Sequence, residues 1–269
     1  MKKIIILIAA LVVMSITWYA LAKGYKFHSE SKNYDLSEAV LKLDDGEETN
    51  ADFNDDEKQI LQEYQDLFKE LSSKTSFYIM GNIEISDPAD SSAEASGSAF
   101  SFLKTGNNIY YQNNYQQILN TGTYYAVADL QSKKLIVAPP KTIQDISPIP
   151  FSSISKNFNS EGYTIEKTQK ESKAIIKMVC ENNINCKEIR VEFDILTRKP
   201  SLMFYRFTDL DNPEDKKFDK TIAIHISKWD VGDDKVKEKI IPNLVTINKE
   251  SITGAAGFED YELINLYNQ

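Results

Sequence analysis

The sequence predicts a mainly antiparallel α+β domain in which one amphipathic helix packs on a sheet. Three observations support this fold class. Apolar residues recur at helical spacing after residue 54, and from Thr75 onward they alternate with polar residues at a period of two. The connections between the strand-like runs are short, which favours antiparallel neighbours over parallel units that require crossover helices.

The helical segment begins with a capping-box pattern, because Asn54 is followed three residues later by Glu57. Apolar residues then recur every three or four positions, which is the spacing of one helix face. Such a stripe must be buried against an apolar partner, and a sheet face is the simplest one. The stripe consists of Ile60, Leu61, Tyr64, Leu67, Phe68 and Leu71.

Roughly ten short strands are predicted after this helix, bounded by turns that contain Gly, Asn, Ser and Pro. Residues 141–160 contain Pro148 and Pro150 and are less regular, with a short helix predicted near residues 151–158. The predicted strands lie near residues 77–85, 99–104, 109–113, 124–130, 134–138, 163–168, 173–180, 186–196, 201–208, 218–229 and 243–249.

The N-terminus has the three parts of a secretory signal peptide. A basic start at Lys2 and Lys3 is followed by an apolar run over residues 4–17. The segment then ends on the small residues Ala20 and Ala22, which flank one leucine. This ending is typical of a signal peptidase site, and we predict cleavage after Ala22.

Cleavage at this site divides the chain into a signal peptide (residues 1–22), an acidic tether (residues 23–54) and a single domain (residues 55–269). The alternative is an uncleaved anchor, because residues 4–22 approach the roughly 20 residues that a spanning helix needs. In either case the protein is predicted to be exported to the periplasm or cell envelope. It would be membrane-anchored if the segment is retained.

The charge balance excludes two classes of partner. The chain has 40 acidic residues against 31 lysines and arginines, which gives a formal net charge of −9. A net-negative surface repels the phosphates of nucleic acids, so we expect no nucleic-acid partner. It also disfavours docking on anionic lipid through a polybasic patch. The oligomeric state is left open by the sequence.

The two cysteines, Cys180 and Cys186, are separated by a turn-prone stretch of five residues between two strand-like runs. An oxidising compartment and a hairpin geometry together predict a structural disulfide between them. A redox enzyme would instead use a Cys-x-x-Cys motif at a helix start, which this spacing does not provide.

No catalytic constellation or cofactor motif is recognised. The chain has only two histidines, His28 in the tether and His225 in a strand, and neither has a metal-ligand partner nearby in sequence. Residues 153–156 match Ser-x-x-Lys and residues 104–106 match Lys-Thr-Gly, but the order is the reverse of that in penicillin-recognising enzymes. We therefore interpret both as turns, and we predict neither an enzyme nor a cofactor.

Two acidic clusters are interpreted as structural. The first has the spacing of a calcium loop, but Glu57 stands at the sixth position, where the loop requires glycine. A helix N-terminus explains the same residues, and the second cluster is interpreted as a solvated turn. The first cluster consists of Asp52, Asn54, Asp56 and Glu63, and the second of Asp209, Asp211, Glu214 and Asp215.

The tyrosine-rich pattern over residues 108–112, 124–129 and 133–138 resembles the middle of the outer-membrane lipoprotein carrier (LolA/LolB-like) half-barrel. The early helix suits that fold, and residues 190–205 look like its closing strands. The resemblance implies a strongly curved sheet around an apolar cavity. No position matches the lid arginine of that family, so the resemblance assigns no ligand-binding residue.

Three functions follow as hypotheses. The first is a carrier of a hydrophobic ligand, such as a lipid or a lipoprotein acyl chain, which requires an open apolar face. The second is a structural or interaction module of the cell envelope, with a filled core and a partner surface. The third is a hydrolase, which requires buried carboxyl groups with raised pKa values in a cleft.

Overall fold

The computed structural model describes residues 53–89, 95–141, 161–248 and 251–266 of the chain. Two α-helices are present in these ranges, the long α1 (Asp55–Ser73) and the one-turn α2 (Asp233–Val236), together with a 3₁₀ turn (Lys216–Phe218). The strands are β1 (Ser76–Ser86), β2 (Ala95–Thr105), β3 (Asn108–Asn113), β4 (Gln116–Asn120), β5 (Tyr125–Asp129), β6 (Lys134–Ala138), β7 (Thr164–Lys170), β8 (Lys173–Val179), β9 (Cys186–Asp194), β10 (Pro200–Phe207), β11 (Lys220–Val231), β12 (Val245–Asn248), β13 (Ser251–Gly254) and β14 (Glu262–Asn265).

Twelve of these strands form one open sheet in the order β14-β6-β5-β4-β3-β2-β1-β11-β10-β9-β8-β7. All neighbours are antiparallel except β14 and β6, which run parallel. The predicted fold class is confirmed: the sheet is mainly antiparallel, it does not close into a barrel, and the long helix packs on it. The predicted strand near residues 243–249 exists, but it forms a separate hairpin from β12 and β13.

The start of α1 is the predicted capping box. The Asn54 side chain accepts from the Glu57 backbone N–H at 2.9 Å, and the Glu57 carboxylate accepts from the Asn54 N–H at 3.0 Å. Glu63, farther along α1, pairs with Lys167 on β7. Asn54 therefore caps the helix, as the structural interpretation of this cluster predicts, and Glu63 forms an ion pair that the sequence did not indicate. Asp52 lies outside the described residues.

The first hydrophobic core lies between α1 and the sheet face that carries Phe77 and Ile79, here called the helix face. Tyr64 and Phe68 of α1 have ring centroids 5.4 Å apart, and Phe68 contacts Trp229 of β11 at 6.1 Å. The predicted stripe is confirmed as the buried side of α1. The stripe shares this core with buried residues of the sheet and of the segments next to its strands and to α1. They are Phe53, Phe77, Ile79, Tyr163, Ile165, Ala174, Ile176, Met178, Val191, Phe193, Met203, Trp229 and Val231. Phe53, which we placed in the tether, belongs to this core.

The second core lies on the opposite side of the sheet, here called the back face, which carries Leu103 and Tyr110. Residues that follow β11 return across strands β2 to β6 and cover this face. Val236, Leu244 and Phe258 of the returning segment are almost completely buried against it. The back face of β2 to β6 is therefore covered by the chain itself, and the opposite face of these strands, the helix face, is not covered by this segment.

No described helix is both long enough and apolar enough to cross a bilayer. The signal segment, the cleavage residues Ala20 and Ala22, and all but the last two residues of the tether lie outside the described ranges. So do the predicted helix near residues 151–158 and the Ser-x-x-Lys match.

Candidate functional site

A continuous row of apolar side chains crosses the helix face from β1 to β14. Residues that lie directly opposite each other in a ladder project to the same side of a sheet. The strand registers place Ile79 opposite Phe102, and the row continues through each neighbouring strand. We name the part beyond β1 the apolar strip, and it consists of Phe102, Tyr111, Ile118, Val127, Ile136 and Ile264.

The apolar strip extends beyond the area that α1 covers. Phe102 packs at the margin of the first core. Tyr111, Ile118, Ile136 and Ile264 are only half-buried, and they belong to neither of the two cores in the described ranges. Val127, between Ile118 and Ile136 in the row, is 1% exposed. The back face of the same strands is filled, so within the described residues the half-buried apolar side chains of β3 to β6 lie on the helix face.

Strand alternation explains why the strip and the second core share the same strands. Successive side chains of a strand point to opposite faces. On β3, Tyr110 packs into the second core on the back face, and its neighbour Tyr111 lies in the strip. An aromatic series then links the strip to the first core, because Phe102 lies 5.3 Å from Phe77 and 6.5 Å from Tyr111 between ring centroids.

Tyr111 supplies a neutral polar group within the strip. Its hydroxyl accepts a hydrogen bond from the side chain of Asn113 at 3.2 Å. Burial raises the pKa of Tyr111, and the Asn113 bond opposes this only in part. The hydroxyl therefore stays uncharged at neutral pH, so the strip presents a large apolar area with one hydrogen-bonding group.

Cys180 and Cys186 are free thiols in the structure, so the disulfide that we predicted between them is not formed. The physical reason is the register of the β8–β9 hairpin. The Cys180 N–H donates to the Lys187 carbonyl at 2.9 Å, which places Lys187 rather than Cys186 opposite Cys180. The Cys180 thiol donates instead to the Glu161 carbonyl, and the Cys186 thiol to the Glu188 carbonyl.

We expect Cys186 to resist alkylation in the native protein at pH 8, because burial raises the pKa of its thiol to about 12 and the thiolate is the reactive form. Iodoacetamide labelling followed by intact mass measurement tests this. The chain denatured without reductant should take two labels. A denatured chain that takes none before reduction would contain the disulfide after all.

The other residues considered from the sequence have structural roles. His225 is exposed on the back-face side of β11, with its Nε2 atom 3.5 Å from Glu84. Gly106 of the Lys-Thr-Gly match forms the β2–β3 turn with a φ of 57°. Asp209 accepts from the N–H groups of Asp211 and Asn212, so the second acidic cluster is the predicted turn. Across the described ranges, no group of three or more His, Cys, Asp or Glu residues is arranged to hold a metal.

Sequence reasoning assigned no ligand-binding residue and missed the apolar strip. Alternation is readable in β2, where Ser101 separates Phe100 from Phe102. Which of the two faces stays uncovered depends on the distant segment after β11, and no local pattern reports where that segment packs.

Comparisons with known proteins found similarity among solved structures. No protein-family model and no curated protein matches the chain. A conserved protein from Thermus thermophilus is 10% identical over 77% of this chain and 98% of that chain, with a TM-score of 0.37. The lipoprotein LppX of Mycobacterium tuberculosis is 10% identical over 64% and 96%, with a TM-score of 0.36.

A third similar structure is a domain from Vibrio parahaemolyticus that is described as an outer membrane lipoprotein-sorting protein. It is 10% identical over 65% of this chain and 92% of that chain, with a TM-score of 0.26.

Proposed function

We propose that this chain is an exported, non-enzymatic protein of the cell envelope that binds or carries a hydrophobic ligand, such as a lipid or a lipoprotein acyl chain. The observation that carries the proposal is the half-buried apolar strip on the helix face of β2 to β6 and β14. The ladder places its residues on one side of the sheet. Phe102 packs at the margin of the first core, Val127 is buried, and the other four belong to neither described core. The signal-like N-terminus supports export.

The dimensions and chemistry of the strip suit an acyl chain. Neighbouring strands are about 4.8 Å apart, so the row from β1 to β14 extends roughly 25–30 Å. Each methylene removed from water contributes about 0.8 kcal/mol. Ten methylenes laid on the strip would contribute about 8 kcal/mol, which corresponds to a micromolar dissociation constant before the ordering of the chain is counted.

The carboxyl groups support a binding protein over a hydrolase, since a hydrolase needs acids with raised pKa values. Burial raises the pKa of Glu63, but hydrogen bonds from Lys167 and Arg198 outweigh it and the net shift is downward. A hydrogen bond from Arg206 lowers the pKa of Glu181 to about 2. Both acids are therefore ionised partners of cations at neutral pH.

Two measurements on the mature protein purified from an envelope extract test this proposal. They are native mass spectrometry and lipid extraction of whatever co-purifies. We expect a stoichiometric lipid or acylated peptide, and retention of added fatty acid by ligand-free protein. In a second step, Ile118→Asp should lower the affinity for the retained ligand at least tenfold, because it places a charge in the middle of the strip.

The matched control is Ile175→Asp, which alters a half-buried isoleucine of β8 that lies outside both cores. It should leave ligand affinity unchanged. A clean native mass, combined with no retention of added lipid, would overturn the proposal. It would leave a structural or protein-interaction module of the envelope as the remaining function.

A further inference from the structure

One margin of the apolar strip carries positive charge. The row next to the strip runs from Phe77 through Lys104, Ile109 and Asn120 to Tyr125, one residue on each of β1 to β5. Lys104 lies directly opposite Phe77 in one ladder and opposite Ile109 in the other, so its side chain projects from the helix face. It is half-buried, and its ammonium lies 5.9 Å from the centroid of the Phe77 ring.

A second lysine is held over the same row by the chain that follows β6. The Lys141 N–H donates to the Asn120 side-chain oxygen at 2.9 Å, and the Asn120 amide donates to the Lys141 carbonyl at 3.0 Å. This two-bond clamp, with Asn120 itself buried, places the Lys141 ammonium 4.1 Å from the Tyr125 ring centroid. The position of this lysine is therefore built into the fold.

Neither ammonium is neutralised by an acid within the described part of the chain. Other lysines on or beside the sheet are paired, for example Lys187 with Asp219 at 2.8 Å and Lys220 with Asp87 at 2.9 Å. Lys104 and Lys141 instead lie over aromatic rings. A ring stabilises a cation through its face, and the N–H donors that point away from it stay available to an anion.

The opposite margin of the strip does not repeat this charge. There the row passes through Phe100, Asn113, Gln116 and Asp129, and Asp129 lies directly opposite Lys134 in the β5–β6 ladder. Glu262 of β14 lies opposite Lys134 in turn, so this row holds two acids and one lysine. One side of the strip is therefore cationic, and the other is net negative. A ligand with an apolar tail and an anionic head would be oriented by this difference.

We propose that the ligand of the apolar strip is an acyl compound with an anionic oxygen headgroup, and that Lys104 and Lys141 bind this headgroup. The inference rests on the function proposed above and specifies its substrate class. Lys104 is on β2 and Lys141 lies over β5, which is three strand spacings or about 14 Å away. Their flexible side chains can therefore converge on a headgroup above β3 and β4. A carboxylate and a phosphate share this chemistry.

The test compares probes that share a tail and differ in the head, using the mature protein and isothermal titration calorimetry. Palmitate should bind at least tenfold more tightly than methyl palmitate, and dipalmitoyl phosphatidic acid more tightly than dipalmitoylglycerol. The double variant Lys104→Gln/Lys141→Gln should reduce palmitate affinity to that of the ester and leave ester affinity unchanged. The anionic probe that gives the larger loss identifies carboxylate or phosphate as the natural headgroup.

Lys228→Gln/Lys239→Gln is the control, because these lysines lie over a ring of the back face, 5.8 Å and 4.5 Å from that of Tyr78, and Lys228 is also 3.4 Å from Asp230. This variant should bind all probes as the unaltered protein does. Equal binding of palmitate and its ester, or no loss in the Lys104→Gln/Lys141→Gln protein, would overturn the headgroup site while the carrier function stands. Binding of no probe at all would overturn the proposed function itself.

Discussion

Replacing Asp219 by alanine is expected to lower the free energy of unfolding by about 3–5 kcal/mol, because it leaves a buried cation without its partner. Asp219 and Lys187 have side chains only 1% and 3% exposed, and their charged atoms are 2.8 Å apart. Arg206 also contacts Asp219, at 2.9 Å. In the variant, Lys187 keeps a hydrogen bond to the Pro213 carbonyl at 2.9 Å, which cannot neutralise its charge.

Urea unfolding followed by circular dichroism measures this loss. The control is Asp260→Ala. The Asp260 side chain is 62% exposed, and that of its partner Lys133 is 59% exposed. An exposed pair contributes at most about 1 kcal/mol. Asp219→Asn, which retains the size and one acceptor oxygen, should lose less stability than Asp219→Ala. A loss for Asp219→Ala no larger than that of the exposed pair would show that the buried cluster is not stabilised by charge pairing.

Replacing Gly81 by alanine is expected to destabilise the protein by about 3 kcal/mol, near the upper end of the usual range for overpacking. The register of β1 against β11 shifts between Met80 and Gly81. A Cβ atom at Gly81 would lie 1.9 Å from the His225 carbonyl oxygen and 2.9 Å from its carbon. Backbone atoms in the middle of a twelve-stranded sheet cannot move aside without breaking ladder hydrogen bonds.

The same unfolding experiment tests this prediction, with Gly122→Ala as the control. Gly122 has no atom within 4 Å of the position of an added Cβ. Its substitution should change stability by less than about 0.5 kcal/mol, as surface substitutions usually do. Equal stabilities of the two variants would mean that the β1–β11 ladder can widen at the bulge without loss.

The sequence located α1 and most strands because their signals are local. The capping box at Asn54 and the apolar stripe depend on residues within one or two turns, and both are found in the structure. Strands β4, β13 and β14 were missed, and β4 shows the reason. Its sequence, Gln-Gln-Ile-Leu-Asn, has little alternation, and it is a strand because β3 and β5 pair with it on both sides. The structure shows no disulfide between Cys180 and Cys186 for a related reason, since such a bond depends on a one-residue register.

The amino-acid sequence by itself determined the antiparallel class of the sheet, the helix that packs on it and the signal-like N-terminus, because each of these follows from spacing and composition within short segments. Only the tertiary structure decided which face of β2 to β6 is filled by the segment after β11 and which remains as the apolar strip. It also decided that Lys104 and Lys141, 37 positions apart in the sequence, share one margin of that strip. The physical reason is that alternation gives every strand two faces, and only long-range packing distinguishes the face that becomes core from the face that stays accessible.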